Sequence, residues 1–495
     1  FNCLITQTFR GGDTMYIGLD QGTTSTRAIL FDENFNMLHE ARREFKQIYP
    51  KEGWVEHNPE EIWQTVVEVL EECKRVAESK GEKIKAIGIT NQRETIVAWD
   101  EEEKRTLYNA IVWQCRRTAE RSSELRKDFG KVIKDKTGLV VDPYFSATKI
   151  EWLLNNVEEV KRAAAKGTLR FGTIDSYLAW KLTGQHVTDY SNASRTMLFN
   201  IHTLDWDNEL LELFGVKREF LPKLVDTAQY IGDTRDGIPV SSLVGDQQSA
   251  LFGQTAFEKG DVKCTLGTGS FILMNTGDQI INSQHNLLST VGWKIGNEIV
   301  YALEGSVFIT GTLVNYLIRN LGFAKDSAEL TELALQVGNN GGIYFVPAFT
   351  GLGAPYWDPY ARGLIIGLTP GTDKRHIIYA AFEGIAFSVG QLVTLMEKES
   401  EIYIKTLKVD GGVSKNNLIM QILSDTVNTV VERPVNRETT ALGAATLAAI
   451  AMGWVDKNKL KEIRKIDRIF TPKENREEEF NKWKQAVNRA LNWES

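Results

Sequence analysis

The stretch LDQGTTSTRAILFD, residues 19–32, predicts two adjacent strands joined by a tight turn. Apolar residues 16–19 and 28–31 flank a turn that holds Gly22 and four small hydroxyl residues, with Asp20 at one end and Arg27 at the other. The N–H groups and hydroxyls of such a turn can converge on one point and form an anion-binding concavity. On this pattern alone, an ordinary exposed hairpin and a phosphate site both remain open.

A second stretch, KCTLGTGSFILMN at residues 263–275, repeats the order of strand, glycine–threonine turn and strand. The repeat puts the phosphate interpretation level with that of a plain hairpin, and it predicts two domains built on one plan that face each other. At 495 residues the chain exceeds one ordinary core. We place the boundary near Gly253 and expect the domains to be connected by ordered structure and to move as a hinge.

A third glycine turn lies in KVDGGVSKNN, residues 408–417, between a predicted strand and a predicted helix. Gly411 and Gly412 could admit a flat ring against the backbone, and simple strand-to-helix packing is an equal alternative. The sequence has no GxxxxGK[ST] motif and no GxGxxG after a strand. Any phosphates must therefore be held in another way.

Composition excludes several classes of protein. The formal net charge of -7 argues against a nucleic-acid-binding surface. The four cysteines, Cys3, Cys73, Cys115 and Cys264, form no CxxC pair, which argues against a zinc knuckle or a disulfide framework and fits a reducing cytoplasm. No apolar run approaches the length of roughly 20 residues that is needed to span a bilayer.

Residues 1–14, FNCLITQTFRGGDT, precede Met15, where a predicted strand begins at once. Gly-Gly-Asp can be encoded by a purine-rich ribosome-binding sequence. We therefore expect this extension to be either upstream nucleotide sequence read as protein or an ordinary disordered tail.

Alternating strands and helices indicate an α/β fold. KAIGIT and TIVAWD are typical of strands, and a helix is predicted from NPEEIW onward. Asn58 is a candidate N-cap, Pro59 suits the first helical position, and Glu61 stands where a capping-box carboxylate belongs. Two aspartates are candidates for chemistry: Asp20 ends a predicted strand, and Asp246 stands where a predicted strand gives way to a helix, although helix capping is the simpler interpretation of Asp246.

The ordered set of motifs resembles the FGGY carbohydrate kinase family, in particular its members that act on glycerol. The resemblance runs from Met15 almost to the end of the chain, through LDQGTTSTRAILFD, GWVEHNPEEIW, ITNQRET, NAIVWQCRRT, DPYFSATKIEWLLNN, TDYSNASRTMLFNIHTLDWD, GDQQSALFGQ, GTGSFILMNTG, FTGLGAPYWDPYARG, KVDGGVSKNN and ETTALGAA.

This resemblance implies a fold of two actin-like, ribonuclease H-like α/β domains with the active-site cleft between them. Residues 15–253 would bind glycerol and phosphates, and residues 254–495 would bind the nucleotide. The implied reaction is ATP-dependent phosphorylation of glycerol with Mg²⁺, in a cytoplasmic homodimer or homotetramer.

The resemblance also implies roles for individual residues. Asp246 would be the catalytic base, and Asp20 would orient the magnesium through water. The implied glycerol ligands are Arg93, Glu94, Trp113, Tyr144, Asp246, Gln247 and Phe271. The implied ATP ligands are Thr23, Thr24, Ser25, Arg27, Gly267, Thr268, Gly311, Asn315, Gly412 and Asn416. Asn315 departs from the glutamine of many relatives, which could loosen nucleotide contacts.

Two other functions stay open. One is a kinase of the same family that acts on a pentulose or another polyol. The other is a nucleotide-switched assembly protein of the actin-like fold, whose ATP turnover would not need a small alcohol. Measuring whether ATP consumption depends on glycerol distinguishes these hypotheses.

Overall fold

The computed structural model describes residues 14–494, so the predicted extension at residues 1–14 lies outside the described residues except for Thr14. Up to residue 253 the strands are β1 Thr14–Gln21, β2 Ser25–Phe31, β3 Met37–Glu44, β4 Glu56–His57, β5 Lys83–Asn91, β6 Ile96–Asp100, β7 Arg105–Thr106, β8 Ala110–Ile111, β9 Leu169–Thr173, β10 Val187–Asp189, β11 Phe199–Asn200, β12 Asp205–Trp206, β13 Lys223–Val225, β14 Ala228–Asp233 and β15 Pro239–Gly245. The helices are α1 Pro59–Ser79, α2 Ala119–Thr137, α3 Ser146–Asn156, α4 Glu158–Lys166, α5 Ile174–Thr183, α6 Tyr190–Ala193, α7 Asn208–Phe214 and α8 Asp246–Gly253.

Beyond residue 253 the strands are β16 Val262–Leu266, β17 Ser270–Gly277, β18 Leu288–Ile295, β19 Glu298–Val307, β20 Tyr344–Val346, β21 Leu364–Ile366, β22 Thr406–Asp410, β23 Val430–Pro434 and β24 Ile466–Phe470. The helices are α9 Gly311–Arg319, α10 Ser327–Val337, α11 Lys374–Ser400, α12 Asn417–Val427, α13 Thr439–Ala451, α14 Lys457–Ile463 and α15 Glu477–Ala490.

Two large mixed sheets share one plan. The first has the strand order β14-β15-β5-β1-β2-β3, and the second has the order β18-β19-β17-β16-β22-β23-β24. In each, the first strand pairs antiparallel with the strand that follows it and parallel with a later strand. The repeated sequence stretches therefore form equivalent hairpins, β1–β2 and β16–β17, and the two-domain α/β prediction is confirmed.

Helix α1 shows how the sequence directs local structure. It begins at Pro59, and the Asn58 side chain accepts a hydrogen bond from the N–H of Glu60, as a helix cap does. The capping-box prediction for Glu61 is wrong, because its carboxylate accepts from the N–H of Lys46 in the adjoining loop. Tertiary contact has replaced a local one.

Helix α11, Lys374–Ser400, is long and apolar enough to cross a membrane by length and composition. The sequence-based expectation that the chain has no such apolar run is therefore wrong. Of its most apolar window, 78% is buried inside the protein. A helix that is apolar on every side suits the centre of a large core. Its residues Phe382, Ile385 and Leu392 lie in the main core of the second domain.

Helix α13 joins the two domains, because it packs on β1, β5 and β15 of the first sheet and on α8. A Cβ atom at Gly18 would lie 2.2 Å from the carbonyl oxygen of Ala441, and one at Gly88 would lie 1.9 Å from that of Ala444. These distances are far below van der Waals contact, so glycine is required for the helix to lie this close to the sheet.

Replacement of Gly88 tests this contact. We expect Gly88→Ala to push α13 away from β5 and to lower the free energy of unfolding by about 1–3 kcal/mol or more, the usual cost of overpacking. Thermal or urea unfolding measures the effect. Gly130→Ala in α2 is the matched control, since a Cβ there would meet only the Arg126 side chain at 3.7 Å and alanine favours a helix. Equal melting of the two variants would contradict the close-contact argument.

Candidate active site

Several of the predicted site residues lie at the carboxyl ends of three parallel strands. Strand β5 lies between β1 and β15. The last residues of β1, β5 and β15 are Gln21, Asn91 and Gly245, and they are paired in register. Asp20 directly precedes Gln21, Asp246 directly follows Gly245, and Arg93 lies two residues after Asn91. Parallel strands bring their carboxyl ends to one edge, where α/β sheets bind ligands.

Arg93 and Glu94 form the buried base of the pocket. Arg93 is 3% exposed and Glu94 is 1% exposed. Glu94 has a φ of 63°, a left-handed conformation that a non-glycine residue rarely adopts, and its carbonyl oxygen accepts a hydrogen bond from Ser146. Strained backbone of this kind persists where the surroundings hold it, often at functional sites.

Asp246 is the first residue of α8, whose N-cap is Gly245, so the helix-capping interpretation of Asp246 does not hold in its usual form. Its Oδ1 accepts from the N–H of Gln247 at 2.7 Å and lies 3.4 Å from Nε of Arg93. Burial raises the pKa of Asp246 to about 6, with Asp20 and Glu94 adding to the rise and Arg93 and Lys263 opposing it. A pKa near working pH suits a general base.

The aromatic residues of the predicted glycerol set meet the polar ones. The rings of Trp113 and Tyr144 lie 5.5 Å apart in an edge-to-face arrangement. The Tyr144 hydroxyl accepts from Arg93 at 3.5 Å. Phe271 on β17 and Gln247 are connected through Lys263, which donates to the carbonyl oxygen of one and the amide oxygen of the other. The structure thus brings this predicted set together from both domains.

Glu304 is a site residue that the sequence reasoning missed. It is fully buried on β19 of the second domain, and its oxygens accept from Arg93 at 2.6 and 2.7 Å. Arg195, also fully buried, donates to Glu304 at 3.2 Å and to Glu94 at 2.7 Å. Burial opposes ionisation of Glu304, but Arg195 and Arg93 outweigh it and lower its pKa to about 2. A lone carboxylate in the apolar run of β19 was the available signal.

The β1–β2 hairpin is held in place by the same segment that forms the pocket. Gln92, directly before Arg93, donates to the carbonyl oxygen of Gly22 at 3.0 Å. Trp113 Nε1 donates to Oγ1 of Thr23 at 2.9 Å. Thr24 is exposed at the turn and Ser25 is buried. The pocket and the predicted phosphate hairpin therefore adjoin.

Arg27 connects this hairpin to the second domain. Its guanidinium donates to Asp20 at 2.6 Å and to Glu438, which directly precedes α13, at 2.7 Å. The Arg27 side chain remains 25% exposed. A partly exposed guanidinium at an anion-binding turn can turn from these carboxylates to a phosphate.

The predicted nucleotide residues of the second domain lie around the β16–β17 turn. The N–H of Gly311 donates to the carbonyl oxygen of Gly267 at 2.9 Å, and that of Thr312 donates to the carbonyl oxygen of Thr268 at 3.2 Å. Asn315 is exposed on α9, four residues after Gly311. The turn and the start of α9 therefore form one unit.

The glycines of KVDGGVSKNN differ in environment. Gly411 has a φ of 85°, and a Cβ there would lie 2.5 Å from the carbonyl oxygen of Leu266, so packing alone requires it. A Cβ at Gly412 would meet nothing within 4 Å, which leaves room for a ligand against the backbone. Asn416 caps α12 through its Oδ1 and donates through Nδ2 to Thr331. The Asn416 amide is therefore already engaged in hydrogen bonds within the protein.

Loss of the Glu304 carboxylate tests the buried network. Glu304→Gln would leave two buried guanidiniums without sufficient counter-charge, and we expect a loss of about 3–5 kcal/mol in the free energy of unfolding. Urea denaturation measures it. The control is Asp205→Asn, which breaks a bridge to Arg218 whose partners are 50% and 49% exposed and should cost less than about 1 kcal/mol. A shift for Glu304→Gln no larger than the control's would show that the network does not hold the domains together.

Comparison with known proteins identifies the family of this chain. The family model for the N-terminal domain of the FGGY carbohydrate kinases matches residues 15–253, and that for the C-terminal domain matches residues 262–452. Glycerol kinase 2 of Thermotoga maritima is 52% identical over 490 residues, which cover 97% of this chain and 99% of that protein. The glycerol kinase of Thermococcus kodakarensis is 51% identical over 486 residues, which cover 96% of this chain and 97% of that protein.

Solved structures agree with the sequence relatives. The crystal structure of Plasmodium falciparum glycerol kinase with ADP matches with a TM-score of 0.92 and 37% identity, and the match covers 97% of this chain and 98% of that one. A ligand-bound xylulose kinase from Lactobacillus acidophilus, with a TM-score of 0.85 and 23% identity over 96% of this chain and 97% of that one, shares the fold. This chain belongs to the FGGY family of carbohydrate kinases.

Proposed function

We propose that this chain transfers the γ-phosphoryl group of ATP to a terminal hydroxyl of glycerol and forms sn-glycerol 3-phosphate. The observation that carries the proposal is the buried polar pocket around Arg93, Glu94 and Asp246, which adjoins the β1–β2 hairpin through the 2.9 Å hydrogen bond between Trp113 and Thr23. The relatives at about 50% identity over nearly the whole chain are named glycerol kinases.

The chemistry of the pocket suits a small triol. Arg93 and the amide of Gln247 can donate to hydroxyl oxygens, and the carboxylates of Glu94 and Asp246 can accept their hydrogens. Trp113 and Phe271 can cover the carbon edge. A pocket that pairs every hydroxyl rejects alcohols that leave one of its buried polar groups unpaired.

ATP would lie across the two domains. The open backbone at Gly412 and the Gly267–Gly311 contact would provide a surface for the nucleoside, while Thr268 in the β16–β17 turn would meet the phosphates. On the other side, Thr23, Thr24, Ser25 and Arg27 would meet the phosphates. Open space at Gly412 is consistent with this placement, since a Cβ atom there would meet nothing within 4 Å apart from its chain neighbours.

Asp20 fits a magnesium ion that is bound mainly by phosphates. Among residues 14–494, no group of three or more His, Cys, Asp or Glu side chains could hold a metal ion. Mg²⁺ usually keeps several waters and needs only one or two carboxylates together with substrate phosphates. When bound, it would neutralise charge on the phosphates, and Asp20 would orient it.

In the reaction, Asp246 would accept the hydroxyl proton on a carboxylate oxygen as the substrate oxygen attacks the γ-phosphorus in line. Its pKa of about 6 means that the carboxylate form needed for this step predominates above that pH. Arg93, 3.4 Å away, orients the carboxylate. Arg27 would draw charge from the phosphates, and the meeting of the domains would exclude water.

We also propose that the enzyme works in a reducing compartment such as the cytoplasm, which is consistent with free, buried thiols at Cys73, Cys115 and Cys264. A homodimer or homotetramer stays a prediction, since it rests on the habit of the family.

A substrate panel tests the proposed reaction. We expect kcat/KM for glycerol to exceed that for xylulose and ribulose by orders of magnitude, because mismatched hydroxyls leave buried groups unpaired. Release of ADP, with identification of the phosphorylated product, is the measurement. Comparable turnover of a pentulose would favour another FGGY activity, and ADP release at the same rate without any alcohol would favour a nucleotide-switched assembly protein.

The two aspartates should respond differently to loss of charge. In Asp246→Asn the side chain keeps its shape but cannot accept the proton, so kcat should fall by roughly 10²–10⁴-fold while the KM for ATP changes little. A loose transition state needs little help from a base, which favours the low end of that range. In Asp20→Asn both MgATP binding and turnover should weaken, and excess magnesium should restore part of the loss.

The measurement is a titration of each variant with magnesium and with glycerol at saturating ATP, and each variant serves as the control for the other. Wild-type kcat in Asp246→Asn, or equal rescue of both variants by magnesium, would show that Asp246 is not the base.

A further inference from the structure

Lys263 is a buried lysine that has no role in the proposed reaction. It lies on β16 of the second domain and is 0% exposed, although lysine is among the residues least often buried. Its ammonium donates to the Gln247 amide oxygen at 2.5 Å, to Thr265 Oγ1 at 3.1 Å and to the Phe271 carbonyl oxygen at 3.4 Å. All three donors of the ammonium are therefore satisfied, and two of the three partners belong to the glycerol set.

The charge of Lys263 has no counter-ion in contact. Within residues 14–494, no carboxylate oxygen lies within 4.0 Å of Nζ of Lys263. Asp410, Asp246 and Glu304 act on it from farther away, and burial lowers its pKa more than they raise it. A buried cation without a counter-ion in contact is costly, which favours a role for Lys263 beyond packing.

The hydrogen bond to Gln247 fixes the orientation of that amide. An ammonium can only donate, so it must face the amide oxygen rather than the nitrogen. The Nε2 group of Gln247 is thereby left to donate elsewhere. Since Lys263 belongs to the second domain and Gln247 to α8 of the first, the orientation depends on the two domains being together.

We propose that Lys263 is a positioning residue, which sets the Gln247 amide as a hydrogen-bond donor to a hydroxyl oxygen of the acceptor alcohol and, through its charge, favours the carboxylate form of Asp246. This inference rests on the proposed function and extends it. It makes recognition of the alcohol sensitive to a residue that does not touch the alcohol, and it couples that recognition to the meeting of the domains.

Steady-state kinetics of Lys263→Met test the proposal, because methionine keeps much of the length and removes the charge. We expect the KM for glycerol to rise by about 10–100-fold, the loss typical of a hydrogen bond that involves a charged group. The KM for ATP should stay within about 2-fold. Loss of the positive charge should also raise the pKa of Asp246, because a nearby cation favours the carboxylate form. The acid limb of the kcat/KM profile should therefore move to higher pH by about 0.5–1 unit.

A double-mutant cycle with Gln247→Leu separates positioning from general structural damage. If Lys263 acts through Gln247, the double variant should have a KM for glycerol within about 3-fold of that of Gln247→Leu alone, since residues in one network are not additive. Of the two diols 1,2-propanediol and 1,3-propanediol, the one that lacks the hydroxyl bound by Gln247 should show little effect of Lys263→Met.

The control is Lys408→Met, which removes a buried lysine at the matching position on neighbouring strand β22. Lys408 donates to the carbonyl oxygen of Thr255 at 3.0 Å and pairs with Asp261, away from the pocket. Its pH profile and its KM for glycerol should match those of the wild type at temperatures where both proteins are folded.

Multiplicative effects in the cycle, an unmoved acid limb, or equal changes in both KM values would overturn the positioning role. The wild-type substrate panel reports separately on the reaction. If the wild type uses another polyol, the proposed function is wrong, and the cycle is then measured with that polyol and decides the role of Lys263 by the same criteria.

Discussion

The paired hydrogen bonds between Arg93 and Glu304 are the interaction on which the site depends. The arginine follows a strand of the first domain, the glutamate lies within a strand of the second, and both are buried. Two charges withdrawn from water repay their desolvation only when their geometry is good and further hydrogen bonds complete them. Arg195 and Glu94 supply that completion. The pocket floor is therefore a shared ionic network rather than a surface of either domain.

Such a network needs the backbones of the two domains to approach closely, and glycine makes this possible. Gly18 and Gly88 in the sheet and Gly443 in α13 each face a carbonyl oxygen at a distance where a methyl group would collide. Apolar residues of both domains, among them Phe252 and Trp293, then close one core around this contact. Burial of apolar surface supplies the favourable free energy that holds the charged groups together.

The charges of the pocket nearly balance, and this bears on its chemistry. The three cations Arg93, Arg195 and Lys263 are matched in number by the carboxylates of Glu94, Glu304 and Asp246, although none of these contacts Lys263. Glu304 lies among the cations and has a low pKa, whereas burial and the neighbouring carboxylates raise the pKa of Asp246. The difference in environment assigns the two acids different work: Glu304 holds the arginines, and Asp246 is suited to take up a proton.

The sequence by itself determined the hairpins, the two-domain plan, the family and the start of α1, because each depends on local patterns: alternating apolar residues, glycine turns and an asparagine cap. Ordered motifs also named the pocket residues. Only the tertiary structure decided the partners of those residues. Glu61 contacts a loop instead of its own helix end, and Asp246 follows the cap position rather than filling it. Glu304 carried only the weak signal of a carboxylate within an apolar strand, and nothing in the sequence assigned a role to Arg195 or Lys263. Their meaning depends on which strands face each other, and that is fixed by burial over long sequence separations rather than by any local preference.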